Sequence, residues 1–237
     1  MNYKIYVQSV DGFPISDWCA SAYMGFKEKG GDVRLYEDIN EVPVSKANIV
    51  VGFIEDTIEY FKNLGVVVPS AMNVPPELSK YAKRGISYVT MAELKQLTKF
   101  PIFAKPNLVA KEFVAGVIRN KADIELYLRD VPDDMPVMLS EVVDLVTEYR
   151  CYVINGKLVG IYFYLGDFRI FPDVSVIDAA ILDFKSAPSA YTLDFGVTSD
   201  GQTILIEAQD AWSIGNYGLE NKLYSKFLAT RWLEIIK

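Results

Sequence analysis

The 237-residue sequence contains no histidine. Ser-His-Asp triads, Cys-His dyads and His-ligated zinc sites are therefore excluded. Its two cysteines, Cys19 and Cys151, are far apart, form no CxxC motif and read as small core hydrophobes. Chemistry falls to carboxylates, Lys, Arg, Tyr, backbone groups or a bound metal. Lys105 sits in the apolar run F-A-K-P, where an unpaired ammonium is costly to bury, so it must be paired or face a cleft. Lys111, in K-E-F-V-A-G, stands at the mouth of a loop, either as a phosphate ligand or as a solvated lysine. Glu148 and Arg150, in T-E-Y-R-C-Y-V, are two apart and share one face of a strand. They read as a plain ion pair or as a cleft wall in which the arginine grips phosphate bidentately.

The most specific cluster comes last. Asp194 (Y-T-L-D-F-G-V) and Glu207 (I-L-I-E-A-Q-D) flank a turn at Asp200-Gly201. If that turn pairs the two runs, the carboxylates fall near opposite each other and repel unless a cation is shared. Mg²⁺ binds one or two carboxylates together with substrate phosphates, and Gln209 points the same way as Glu207. The bland alternative is two unrelated surface carboxylates.

These residues need elements to hold them. In the first ninety residues, strand and helix alternate. Strands are expected at 3–8, 33–36, 47–54 and 86–89. Helices are expected at 16–29, at 57–64 with Thr57 as N-cap, at 77–83, and at 91–97 capped by Thr90. That rhythm predicts a small parallel α/β unit. The remainder changes character. Strands are expected at 101–106, 113–118 and 137–143, and a helix at 122–129. Asn155-Gly156 joins 149–154 to 157–164 as a hairpin with a type I′ turn. A second hairpin joins 191–197 to 203–207, and a helix over 219–236 closes the chain. The fold class is α/β followed by α+β, divided as residues 1–92 and 93–237.

Composition sets the outer bounds. Apolar types make up 51%, enough for a core. The net charge of −7 argues against a broad basic face for duplex nucleic acid, while leaving room for a local cationic pocket. No run reaches the roughly 18 apolar residues needed to span a bilayer, so a cytoplasmic protein with no membrane partner is expected.

In this order, the pieces resemble the ATP-grasp superfamily over 101–237, with a small pre-ATP-grasp α/β domain before it. The pairing of Arg150 with two lysines is most similar to the clade named for one arginine and two lysines, common in bacteriophages and bacterial peptide-modifying clusters. The resemblance implies ATP and Mg²⁺ as cofactors. It implies Lys105 and Lys111 on the phosphates, Glu141 and Val143 offering backbone groups to the adenine edge, and Glu148 on the ribose hydroxyls. Asp194, Glu207 and Gln209 would hold Mg²⁺. Arg150, and more weakly Arg169 in G-D-F-R-I-F, would stabilise the transferring phosphoryl group. Gln209 departs from the family's usual Asn by one methylene. The implied reaction joins a small-molecule or peptide carboxylate to an amine through an acyl phosphate. The alternatives are a phosphotransferase acting on a hydroxyl and a non-catalytic nucleotide-binding module. Asp11 to Ser16 reads as a wall of the acceptor pocket or simply as a turn into a helix.

Overall fold

The computed structural model describes residues 3–107 and 113–237. β1 (Lys4–Val10) is apolar along its interior and pairs in parallel with β3 (Asp32–Tyr36) on one side and β4 (Asn48–Val51) on the other. Burial on both faces is what a helix-covered parallel sheet requires. β2 (Phe13–Pro14) folds back on the end of β1, so Asp11 to Ser16 is first of all a tight turn into α1 (Asp17–Glu28), capped by Ser16. α2 (Ile54–Asn63) begins three residues before the expected cap. Thr57 lies inside it, its hydroxyl donating to Phe53 O at 3.1 Å rather than capping.

After a short helical stretch, α3 (Ser79–Ala82), comes β5 (Ile86–Thr90). The strand is where the sequence predicts it, but its partner is not. It pairs antiparallel with β8 (Pro136–Ser140) instead of extending the parallel sheet. The order of this second sheet is β5-β8-β6-β7, with β6 (Ile102–Pro106) and β7 (Gly116–Ile118) on the far side of β8. α4 (Met91–Lys95) starts at a capping box made by Thr90 and Glu93, and α5 (Lys121–Tyr127) at the side chain of Asn120. A separate apolar core lies under this sheet, around Met91, Leu94, Ala104, Ile124 and Leu139.

The third sheet is a four-stranded antiparallel array in the order β10-β9-β11-β12. β9 (Leu145–Ile154) and β10 (Lys157–Gly166) meet at Asn155 (φ 50°) and Gly156 (φ 70°), the paired positive φ values that a type I′ turn demands. β11 (Ala190–Thr198) and β12 (Thr203–Asp210) form the second hairpin. Between β10 and β11 lies α6 (Val174–Asp183), which the sequence reading leaves without an element. Its run V-S-V-I-D-A-A-I-L-D has no sharp polar face. The usable signal was Asp173, whose carboxylate accepts from Ser175 N at 2.8 Å as an N-cap.

α7 (Asn221–Ile235) returns to the first sheet. Trp232 stacks on Phe61 at 4.6 Å and donates to Asn48 O at 2.8 Å. α1 and α7 touch at Gly25, where a Cβ would lie 1.9 Å from Asn221 O. The parallel sheet thus shares one core with the last helix and with Tyr152 of β9. Among the described residues, no helix is long and apolar enough to cross a membrane.

Candidate active site

Three adjacent strands present the charged residues in register. Asp194 on β11 faces Arg150 of β9 on one side and Glu207 of β12 on the other. Directly paired residues share a face, so all three side chains point the same way, as does Glu148, two residues before Arg150. The alignment depends on a bulge. From the turn inward β11 and β12 pair Val197 with Thr203, Gly196 with Ile204 and Phe195 with Leu205; then the register shifts and Asp194 meets Glu207. Ile206 is the extra residue. Had the regular register continued past Leu205, Asp194 would face Ile206, and Glu207 would point to the other side of the sheet. Arg84 secures this irregular stretch, donating to Leu205 O at 2.6 Å and Ile206 O at 2.8 Å.

The two facing carboxylates have separate side-chain cations. Arg150 grips Asp194 in the bidentate manner, Nε to Oδ1 at 2.9 Å and Nη2 to Oδ2 at 2.7 Å, and Nη2 also reaches Gln209 Oε1 at 3.3 Å. Lys105, on β6 of the other antiparallel sheet, forms an ion pair with Glu207, whose carboxylate also accepts from Gln209 Nε2. The cation that the sequence reading asks for between the acids is therefore met by two protein side chains. Burial lifts the Asp194 carboxyl to about 6, against the opposing pull of Arg150. Burial also works against the Arg150 charge, but the Asp194 carboxylate outweighs it and keeps the guanidinium protonated.

An aromatic pair closes one side. Tyr164 of β10 donates to Glu148 Oε2 at 2.7 Å and stacks on Tyr217 at 5.2 Å. The Arg150 guanidinium lies 4.7 Å from the Tyr217 ring centre and 5.8 Å from that of Tyr164. Tyr217 belongs to the segment between β12 and α7, which Tyr152 holds by donating to Gly215 O at 2.8 Å and accepting from Tyr217 N at 3.1 Å. On another side Asn73 ties the two antiparallel sheets together. Its carbonyl accepts from Ala208 N at 2.6 Å, and its Nδ2 donates to Asn107 O at 2.6 Å. Arg84, Asn73, Tyr164 and Tyr217 escaped the sequence reading because each acts through a contact made across the fold.

The structure brings Lys105, Glu148, Arg150, Asp194, Glu207 and Gln209 into one constellation. Glu141 and Val143 lie in the segment after β8. The Glu141 N–H donates to Gly85 O at 3.0 Å, and its carboxylate accepts from Gly85 N at 2.7 Å. Val143, with Lys83, Thr198 and Asp200, lines a cleft of ≈ 250 Å³ at the turn end of β11. Arg169 is exposed and its guanidinium is taken by Asp167 at 2.6 and 2.8 Å; it stands apart from the cluster. Lys111 lies outside the described residues. Both cysteines are buried, with Cys19 pushed up to about 11 by burial, so neither is poised as a nucleophile.

Among the described residues, no group of three or more His, Cys, Asp or Glu could hold a metal ion alone. Asp194, Glu207 and Gln209 instead supply an all-oxygen set of two carboxylates and an amide. That set suits a hard divalent ion that brings further oxygen ligands with it. Glu207 is about a fifth exposed while Asp194 is buried, so the set is reached from solvent on its Glu207 side.

A family model for the ATP-grasp domain, family 2 of the clade named for one arginine and two lysines, matches residues 81–227, more than half of the chain. No curated protein matches the sequence. Solved structures similar to this one include a RimK domain protein ATP-grasp from Sphaerobacter thermophilus, with TM-score 0.59, 13% identity, and coverage of 95% of this chain and 99% of that one. The D-alanine–D-alanine ligase from Bacillus anthracis complexed with ATP has TM-score 0.57 and 14% identity, covering 99% and 96%. The ATP-grasp ligase PsnB complexed with minimal precursor, Mg and ADP has TM-score 0.53 and 13% identity, covering 97% of each chain. At such identities the likeness is one of fold.

Proposed function

This chain belongs to the ATP-grasp superfamily, in family 2 of the clade with one arginine and two lysines, and we propose that it is an ATP-dependent ligase joining a carboxylate to an amine. The carrying observation is that Lys105 of one antiparallel sheet pairs with Glu207 of another, where Gln209 links Glu207 to Asp194 and Arg150. Cations and carboxylates from two separate sheets converge where a polyphosphate would bridge them. The D-alanine–D-alanine ligase and the minimal precursor bound in the PsnB complex support an amino acid, peptide or protein terminus as substrate.

In this reading the nucleotide lies between the sheets. Lys105 exchanges Glu207 for phosphate oxygens, and Lys111 reaches the same phosphates. Glu148 takes the ribose hydroxyls. Glu141 and Val143 offer backbone groups to the adenine edge. Asp194, Glu207 and Gln209 hold Mg²⁺, which when bound neutralises charge on the phosphates. The substrate carboxylate attacks the γ-phosphorus, the bond to the bridging oxygen breaks, and ADP leaves. The amine then displaces phosphate from the acyl phosphate. Arg150 offsets the charge that spreads over the transferring phosphoryl oxygens. None of this needs histidine, because positioning and charge neutralisation carry phosphoryl transfer. Arg169, exposed and paired with Asp167, is the weaker candidate for the same work as Arg150.

The test is an ADP-release screen against amino-acid and peptide mixtures, with mass spectrometry of products. ADP formed together with an amide is the expected result. A phosphate ester would mark a phosphotransferase, and ATP binding with no Mg²⁺-dependent turnover would mark a non-catalytic module; either overturns the ligase reading.

A further inference from the structure

Arg150 is gripped from two directions. Asp194 takes Nε and Nη2 along the guanidinium plane at 2.9 and 2.7 Å, while the rings of Tyr217 and Tyr164 lie 4.7 and 5.8 Å from its central carbon. The two rings stack with an interplanar angle of 23° although they come from distant parts of the chain. Each is fixed independently. The Tyr164 hydroxyl is committed to Glu148 at 2.7 Å, and the backbone of Tyr217 to Tyr152 at 3.1 Å. Gly218, at φ +109°, presses the segment against β10 so closely that a Cβ would sit 3.1 Å from the Tyr162 ring. Tyr217 itself is 46% exposed. A tyrosine exposed to that degree is ordinarily free to rotate; this one is tethered by its backbone and faced by a guanidinium.

A guanidinium over an aromatic face is attracted by the ring's quadrupole, and more strongly where water is kept out. Under the function proposed above, Asp194 has two duties: it holds Arg150, and it shares its oxygens with a metal ion. An arginine held by Asp194 alone would loosen whenever the second duty draws on those oxygens. We infer that Tyr164 and Tyr217 are positioning residues, a stacked brace that keeps Arg150 in place and shielded from water independently of Asp194. The inference rests on the ligase reading for its purpose, but not for its geometry. It makes the segment joining β12 to α7 part of the active site, and the ring of Tyr217, not its hydroxyl, the working group.

The test uses the full chain. Phenylglyoxal labelling with peptide mass spectrometry reads the reactivity of Arg150 in the nucleotide-free protein. ADP release with Mg²⁺, ATP and the amino-acid and peptide mixture reads kcat and KM. Tyr217→Ala is expected to speed labelling of Arg150 several-fold and to lower kcat by about 2- to 30-fold, with KM for ATP within about twofold of wild type. Tyr217→Phe, which retains the ring, rescues both readouts. Tyr217→Leu, with bulk but no π-face, behaves as Tyr217→Ala does. Unchanged labelling in Tyr217→Ala, or equal loss in Tyr217→Phe, overturns the brace. A wild-type chain that releases no ADP overturns the ligase reading instead, and labelling still decides whether the rings hold the arginine.

Discussion

Two bidentate arginine–aspartate pairs sit on the same antiparallel sheet and end in different roles. Arg231 of α7 binds Asp210, at the end of β12, through Nε and Nη2, both at 2.7 Å. Arg150 binds Asp194 at 2.9 and 2.7 Å. Both pairs are largely removed from water, and burial raises both aspartates. Their surroundings differ. Arg231 also binds Glu234 at 2.7 Å, and Glu234 accepts from both the N–H and the hydroxyl of Ser189. That network closes on itself and ties α7 to the sheet. The charges around Arg150 come from two sheets: Glu148, Asp194 and Glu207 lie with Arg150 on one, and Lys105 reaches Glu207 from the other. The geometry of a pair does not mark a site. A charged set spanning two sheets does, because a charged ligand can rearrange it.

The sharpest way to break this comparison is to remove each arginine or its neighbour. Arg231→Ala strands a buried carboxylate in the scaffold network and is expected to cost about 3–5 kcal/mol of stability, read as a lower urea midpoint; a midpoint equal to wild type would erase the distinction. Lys105→Ala and Arg150→Ala are expected to lose roughly 10²- to 10³-fold in turnover. Arg150→Ala also strands the buried Asp194 and lowers the urea midpoint, as Arg231→Ala does, but of the two arginine variants only Arg150→Ala loses turnover in samples that are still folded. ADP release and circular dichroism on the same samples check this, and wild-type ATP consumption in either variant counts against the site.

A smaller effect is expected in the pH dependence that Asp194 confers on stability. The Asp194 carboxyl is raised from its ordinary value near 4 to about 6. In that window the folded chain holds a proton that the unfolded chain has lost. Its contribution to stability is therefore full below about pH 4 and is lost as pH rises through about 6. Asp194→Asn should remove this slope, so the gap between variant and wild-type urea midpoints changes between about pH 4 and 6 and is flat above about 7. Parallel curves would show that Asp194 does not titrate there. The smallest effect is expected at the clasp. Asn73→Ala loses bonds to Asn107 and should cost about 1–2 kcal/mol, with a drop in kcat that exceeds any change in thermal midpoint if the clasp sets the distance between sheets.

Much of this was legible residue by residue. Asn155-Gly156 announced its hairpin because few sequences tolerate two consecutive positive φ values. Thr90 announced a helix start as an N-cap, and the structure completes it as a capping box with Glu93. Lys105, alone in an apolar strand, had to be paired or at a cleft, and it is paired with Glu207. What escaped were elements whose signal lies in their partners. β5 looks like any short strand, and only the presence of β8 tells which sheet it joins. Arg84, Asn73 and Tyr217 act on groups 121, 34 and 67 positions away (Leu205, Asn107 and Arg150), separations that no local pattern records.

The sequence by itself determined the chemistry available: no histidine, two inert thiols, and a small set of lysines, arginines and acids on strands, since composition and two-residue periodicity are local properties. Whether those acids meet was decided by the tertiary structure. One extra residue, Ile206, turns Glu207 onto the face of Asp194, and Lys105 reaches Glu207 from β6 of the other sheet. A one-residue slip in a strand reverses every side chain beyond it. Its cost is set by contacts with neighbouring strands and with Arg84, and those exist only once the chain has folded.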